Sequence, residues 1–192
     1  MLTDRNKEKL FNVIIYFLNN TEKCYKLKLL KLLYFLDFEH YRQTGKSVTG
    51  LEYYAWEKGP VAKEVYEGID SPDKFEGLGN YISSFKEEFE DGSGHKFIIK
   101  SKKEFDPKLF SKRELKLLSE MAEIFFEATA DQMKEASHFI NQPWDKTVKE
   151  KKHFAKIDFD LVLDSKKDSI TKERLKENKE LQSGMHLFLN SL

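Results

Sequence analysis

Apolar side chains crowd most heavily between Leu27 and Tyr41, where Leu27, Leu29, Leu30, Leu32, Leu33, Tyr34, Phe35, Leu36, Phe38 and Tyr41 leave few polar gaps. A surface helix carries one apolar stripe, whereas a helix that is apolar most of the way round belongs inside a domain. The pattern therefore predicts a central buried helix over Lys26–Gly45, closed by Gly45. Lys28, Lys31, Glu39 and Arg42 fall three to four residues apart and read as one narrow exposed edge, interrupted by Phe35. The block is too short and too charged at its ends to cross a bilayer.

Upstream, Leu10, Ile14 and Phe17, with Phe11, Ile15 and Leu18, recur at helical spacing, with Thr3 as a cap. Asn19-Asn20-Thr21 ends this helix, and Thr21 can cap the next. Downstream, Leu51, Tyr53 and Ala55 alternate with Glu52, Tyr54 and Trp56, which predicts a short strand. Gly59-Pro60 reads as the opening of another helix, with Val61, Val65 and Ile69 on one face and Gly68 and Pro72 at its end. Tyr81–Lys100 reads as a β-hairpin around the turn residues Asp91-Gly92-Ser93-Gly94. Two capping-box patterns follow: Ser111-Lys112-Arg113-Glu114 before Leu115, Leu118, Ala122 and Phe125, and Thr129-Ala130-Asp131-Gln132 before Met133, Ala136 and Ile140. Asn141-Gln142-Pro143 ends that second helix and presents Trp144. The expected fold is mainly α within an α+β class: a compact helical domain around one buried helix, with a small antiparallel β element.

Past Trp144 the pattern changes. Lys146–Lys156 is rich in lysine, 157–163 is a short apolar interlude, and Lys166–Gln182 is a very polar helix-like stretch with only Ile170, Leu175 and Leu181 to pack. Met185, Leu187, Phe188, Leu189 and Leu192 are apolar again. The division expected is a domain over 1–153 and a partner-specific extension over 154–192.

Charge narrows the function. The 33 basic and 33 acidic residues cancel, which disfavours a protein whose task is to grip nucleic acid by bulk charge. Cys24 is alone, so neither a disulfide framework nor a cysteine-rich zinc site arises, and a reducing cytoplasm suits the chain. The first twenty residues have the acidic content and period of a folded helix rather than a signal peptide. Among His40, His95, His138, His153 and His186 there is no HExxH pair, and no phosphate loop, dinucleotide fingerprint or nucleophile elbow occurs. Neither cofactor nor metal is expected. Asp37 and His40, three apart on one helix face, form the one suggestive acid–base pair; the reading preferred is that both are tied into hydrogen bonds joining the helix to its neighbours. Tyr53, Tyr54, Trp56 and Tyr66 are flanked by Glu52, Glu57 and Glu64 as much as by Lys58 and Lys63, which favours core packing and protein binding over base stacking.

Several of these pieces together carry a resemblance. KLLYFLDFEHYRQTGK (Lys31–Lys46, with Lys31, Leu32, Leu33, Tyr34, Asp37, His40 and Gly45), then Tyr54-Ala55-Trp56, Gly59-Pro60-Val61 and Val65-Tyr66, resemble the Panacea domain of SocA-like antitoxins, also found in phage-associated GepA-like proteins. Phe105, the Leu115–Phe125 helix, Ser137-His138 and Pro143-Trp144 extend the resemblance over roughly residues 5–150. The chain departs from the pattern at Lys58, where the family often has an aromatic residue. The resemblance implies a cytoplasmic antitoxin that is not an enzyme and neutralises a cognate protein toxin by direct binding. Tyr53, Tyr54, Trp56 and Trp144 are the candidate anchors, and the remaining motif residues are structural. Delivery of the toxin to a protease, as an adaptor, is one alternative. A winged-helix DNA-binding regulator is another, although Glu87, Glu88, Glu90 and Asp91 would then face phosphates. No membrane and no specific nucleic acid are expected as partners.

Overall fold

The computed structural model describes residues 4–139 and 142–163. Six α-helices and two small antiparallel sheets make up these residues: α1 (Asp4–Asn20), α2 (Lys26–Thr44), β1 (Tyr54–Trp56), β2 (Gly59–Val61), α3 (Lys63–Asp70), β3 (Ile82–Glu88), β4 (His95–Ser101), α4 (Lys112–Ile124), α5 (Ala130–Ser137) and α6 (Pro143–Lys151). The fold is mainly α with a small β element, as the pattern predicts.

α2 is the hub. Leu29, Leu30, Leu32, Leu33 and Leu36 are wholly buried, because α1, α3, α4, α5, β2, β4 and the turn at 159–162 all pack around this helix. Each such side chain contributes about 1.5–3 kcal/mol relative to exposure. Gly45 stops the helix in the left-handed conformation (φ 74°) and returns its N–H to the Tyr41 carbonyl. At the other end no side chain caps α2, and Thr21 instead donates back to the Phe17 carbonyl at 2.8 Å.

The expected lysine edge is absent. Lys28 and Lys31 are buried; Lys28 Nζ donates to the carbonyls of Glu22 and Phe126, both at 2.8 Å, and Lys31 Nζ donates to Pro60 O at 2.8 Å. Their aliphatic stems lie in the core while carbonyl oxygens from distant segments satisfy the ammonium groups.

Gly59-Pro60 does not open a helix. Gly59–Val61 is strand β2, paired with β1 in the register Tyr54↔Val61, Ala55↔Pro60, Trp56↔Gly59, and α3 begins only at Lys63. The hairpin β3–β4 forms around the expected turn, with Phe85 opposite Ile98 and Glu87 opposite Lys96. Both capping boxes form, Ser111 with Glu114 and Thr129 with Gln132. Pro143 sits in the first turn of α6, where its missing N–H costs nothing.

Residues 154–163 pack onto this frame. Phe154 N–H and Ala55 N–H bond to Ala55 O and Ala155 O, and Ile157 N–H donates to Tyr53 O, so this segment runs along the free edge of β1. Ile157 is buried, and Phe159 stacks on Phe38 with centroids 4.3 Å apart. The polar stretch Lys166–Gln182 and the apolar Met185–Leu192 lie outside the described residues.

Candidate functional site

The motif residues, scattered over more than a hundred positions, converge on one point above Gly59. This glycine has φ 99°, and a Cβ placed there would lie 2.6 Å from Lys31 Nζ, 2.8 Å from Ser137 Oγ and 2.9 Å from His138 Nε2. Only glycine supplies both the backbone angle and the space. α2, β2 and α5 thus meet through three polar side chains. α6 closes the group: the His138 ring lies flat on Trp144, centroids 3.7 Å apart and 2° from parallel, and Trp144 Nε1–H donates to the Trp56 carbonyl at 2.9 Å. The Trp144 backbone also hydrogen-bonds to the Tyr34 phenol, whose pKa burial nevertheless raises.

Burial governs the charge of this knot. Loss of solvent, with a smaller repulsion from Lys134, lowers the Lys31 pKa to about 7. Burial, then Lys31, Lys134 and His153, lower that of His138 to about 4. His138 is therefore a neutral imidazole at physiological pH, and its Nε2 is shut from solvent with no hydrogen-bond partner among the described residues. Ser137 donates its hydroxyl proton to the Lys134 carbonyl at 2.8 Å. A serine nucleophile needs its proton directed at a base, and here the hydroxyl is turned to the backbone of its own helix; Lys31 ties α2 to β2 through the Pro60 carbonyl, and His138 joins α5 to α6 by its stack on Trp144.

Asp37 and His40 turn to different partners. Asp37 is fully buried and accepts from the N–H groups of Val48 (2.8 Å) and Thr49 (2.9 Å), the Thr49 hydroxyl and the Tyr53 hydroxyl (2.8 Å). Burial raises its pKa despite these four bonds. It pins the loop 47–53 to α2. His40 Nδ1 donates to the Lys46 carbonyl at 2.6 Å and closes the turn after Gly45. Among the described residues, no group of three or more His, Cys, Asp or Glu could hold a metal, and no helix is long and apolar enough to cross a membrane.

Of the four expected anchors, Tyr53 is corrected: it has no exposed surface and lies between Tyr34, Phe38 and Phe159. Trp144 is also buried, spent on His138 and the Trp56 carbonyl. Tyr54 and Trp56 are half-buried and share the outer face of β1. Trp56 packs against Tyr66 (centroids 5.0 Å apart) and Phe154, which is 60% exposed, while Lys26 Nζ lies 3.2 Å from the centre of the Tyr66 ring. Tyr53 shares its parity with Leu51 and Ala55, both buried, and that alternation is the signal that separates it from Tyr54 and Trp56.

A second surface escaped the sequence reading. Between α2, α4 and α5 runs an apolar cleft of about 310 Å³ walled by Phe35, Phe38, Met121, Phe125 and Val162. Phe35 and Phe125 stack along it, 5.0 Å apart. Its signal was Ile124-Phe125-Phe126, three large apolar residues in a row at the end of α4, of which the helix can bury only one side.

No curated protein and no solved structure matches the chain. The family model described as "Antitoxin SocA-like, Panacea domain" matches residues 29–145, the span that contains Lys31, Asp37, Gly59, His138 and Trp144.

Proposed function

Because this chain belongs to the SocA-like antitoxin family with the Panacea domain, we propose that it neutralises a cognate protein toxin in the cytoplasm by binding it directly. The family match carries this reading, and the chemistry of the knot supports it. Lys31 holds α2 to β2 and the His138 stack on Trp144 holds α5 to α6, which gives a rigid frame on which a binding face keeps its shape.

The outer face of β1 is the toxin-binding face in this proposal. Tyr54, Trp56, Tyr66 and Phe154 present aromatic area of the kind that dominates binding hot spots, and Asp37 and Tyr53 brace the strand from behind. Co-expression of the chain with the product of the adjacent gene tests the reading. The wild-type chain should restore growth when that product is toxic, and Tyr54→Ala/Trp56→Ala should lose protection while the purified variant remains folded. A toxic neighbour that kills equally in the presence of the wild-type chain refutes the antitoxin role. Full protection by the double variant moves the binding face elsewhere.

A further inference from the structure

Ile124 and Phe139 stand at the rim of the cleft between α2, α4 and α5 with 66% and 64% of their surface exposed, and Phe126 nearby is 43% exposed. Side chains of this size gathered beside an apolar cleft mark a surface that something covers. Three observations identify the cover. The described chain reaches Leu163 directly after Val162, which is itself part of the cleft wall. Residues 164–192 follow from that point, and their last eight, Met185-His186-Leu187-Phe188-Leu189-Asn190-Ser191-Leu192, hold five large apolar side chains and no acidic one. Glu123 and Glu127, which flank the rim residues Ile124 and Phe126, are exposed, and a segment without acidic side chains brings no Asp or Glu against them. The stretch 164–184 that joins the two is long enough: even at the helical rise of about 1.5 Å per residue it spans roughly 30 Å, the diameter of a small domain.

We propose that residues 185–192 seat in this cleft within the same chain, with Leu187, Phe188 and Leu189 against Ile124, Phe125 and Phe139. Tethering keeps the segment at an effective concentration on the order of millimolar, so modest apolar contact suffices to hold it. The cleft is thereby a self-binding site, separate from the aromatic face of β1.

Crosslinking of the full-length chain tests this. A Phe139→Cys/Leu187→Cys variant treated with a short bis-maleimide at low micromolar concentration should crosslink within one chain. It should do so at least about tenfold faster than Phe85→Cys/Leu187→Cys, whose first position is also exposed but on the β3–β4 hairpin. Cys24 does not interfere, since it is buried and its thiol is pushed up to about 11. Amide exchange gives an independent reading: Leu187→Glu/Phe188→Glu/Leu189→Glu should speed exchange at residues 121–126 and 136–139 without changing it in α1. Equal crosslinking in the two cysteine pairs, or unchanged exchange in the triple variant, overturns the proposal. Crosslinks that form only between chains overturn it in favour of a second copy in the cleft. An isolated full-length chain whose cleft stays open and uncrosslinked overturns it in favour of an outside partner.

Discussion

Lys31→Met separates the cost of burying an ammonium group from the rest of the fold. Lys31 has no exposed surface, and burial brings its pKa from 10.5 in an open chain to about 7. The unfolded chain therefore binds more protons at this residue across that interval, and stability rises with pH there at up to about 1.4 kcal/mol per unit. From pH 7, where the buried group is half charged, to pH 9, where it is almost wholly neutral, the gain is about 2 kcal/mol. Burial also lowers the pKa of Lys26 and Lys28, which adds to the wild-type slope with the same sign. Above pH 10 the raised pKa values of Tyr34 and Tyr53 act in the opposite direction. Methionine keeps the apolar stem, carries no charge, and leaves the Pro60 carbonyl without its donor, at a pH-independent cost of about 1–3 kcal/mol. Urea unfolding of both proteins at pH 7, 8 and 9 isolates Lys31 as the change in their stability difference. The wild type should gain about 2 kcal/mol on the variant over this range. A difference constant to within about 0.5 kcal/mol would refute the buried, pKa-shifted lysine.

Three further outcomes follow from single contacts. Gly59→Ala should lower stability by about 2–4 kcal/mol, since it combines a strained φ with a Cβ within 3 Å of three polar atoms; a melting temperature equal to wild type would contradict the convergence described. Asp37→Asn places an amide donor among the hydroxyls of Thr49 and Tyr53. It should cost about 1–3 kcal/mol and open residues 47–53 to proteolysis, and cleavage at the wild-type rate would show that the carboxylate does not hold that loop. Truncation after Lys156 removes buried Ile157 and the Phe159 stack on Phe38. It should lower stability by about 3–6 kcal/mol in chemical denaturation, and an unchanged midpoint would show these residues to be dispensable to the core.

What the sequence disclosed depended on how far each residue's partners lie along the chain. α2, the two capping boxes and the hairpin are decided within a few residues, by all-round apolarity, by Ser111–Glu114 and Thr129–Gln132 pairs, and by the turn at 91–94. Gly59-Pro60 was misread because proline suits a first helical turn and a strand edge equally well; the decision rests on pairing with β1 and on Lys31, 29 residues away. Lys28 and Lys31 looked like solvent-facing charges because their acceptors, at Phe126 and Pro60, belong to other elements. The convergence of Lys31, Ser137 and His138 over Gly59 was invisible to spacing for the same reason, although each member was picked out within its own motif. Tyr53 differs from these, since its signal is not remote: it shares parity with buried Leu51 and Ala55, and aromatic type alone does not separate it from Tyr54 and Trp56 on the opposite face.

The wrapping of α2 by late-arriving partners sets a timetable for synthesis. Phe38 waits for Phe159 and Lys28 for the Phe126 carbonyl, so at roughly 5–20 residues per second the ribosome takes on the order of 6–24 s to deliver the last piece. Throughout that interval the most apolar helix of the nascent chain lacks part of its covering and is a substrate for chaperones and proteases. Supply of the finished protein is thus coupled to elongation speed: slowed translation prolongs the vulnerable stage of every molecule being made, without any change in its final stability.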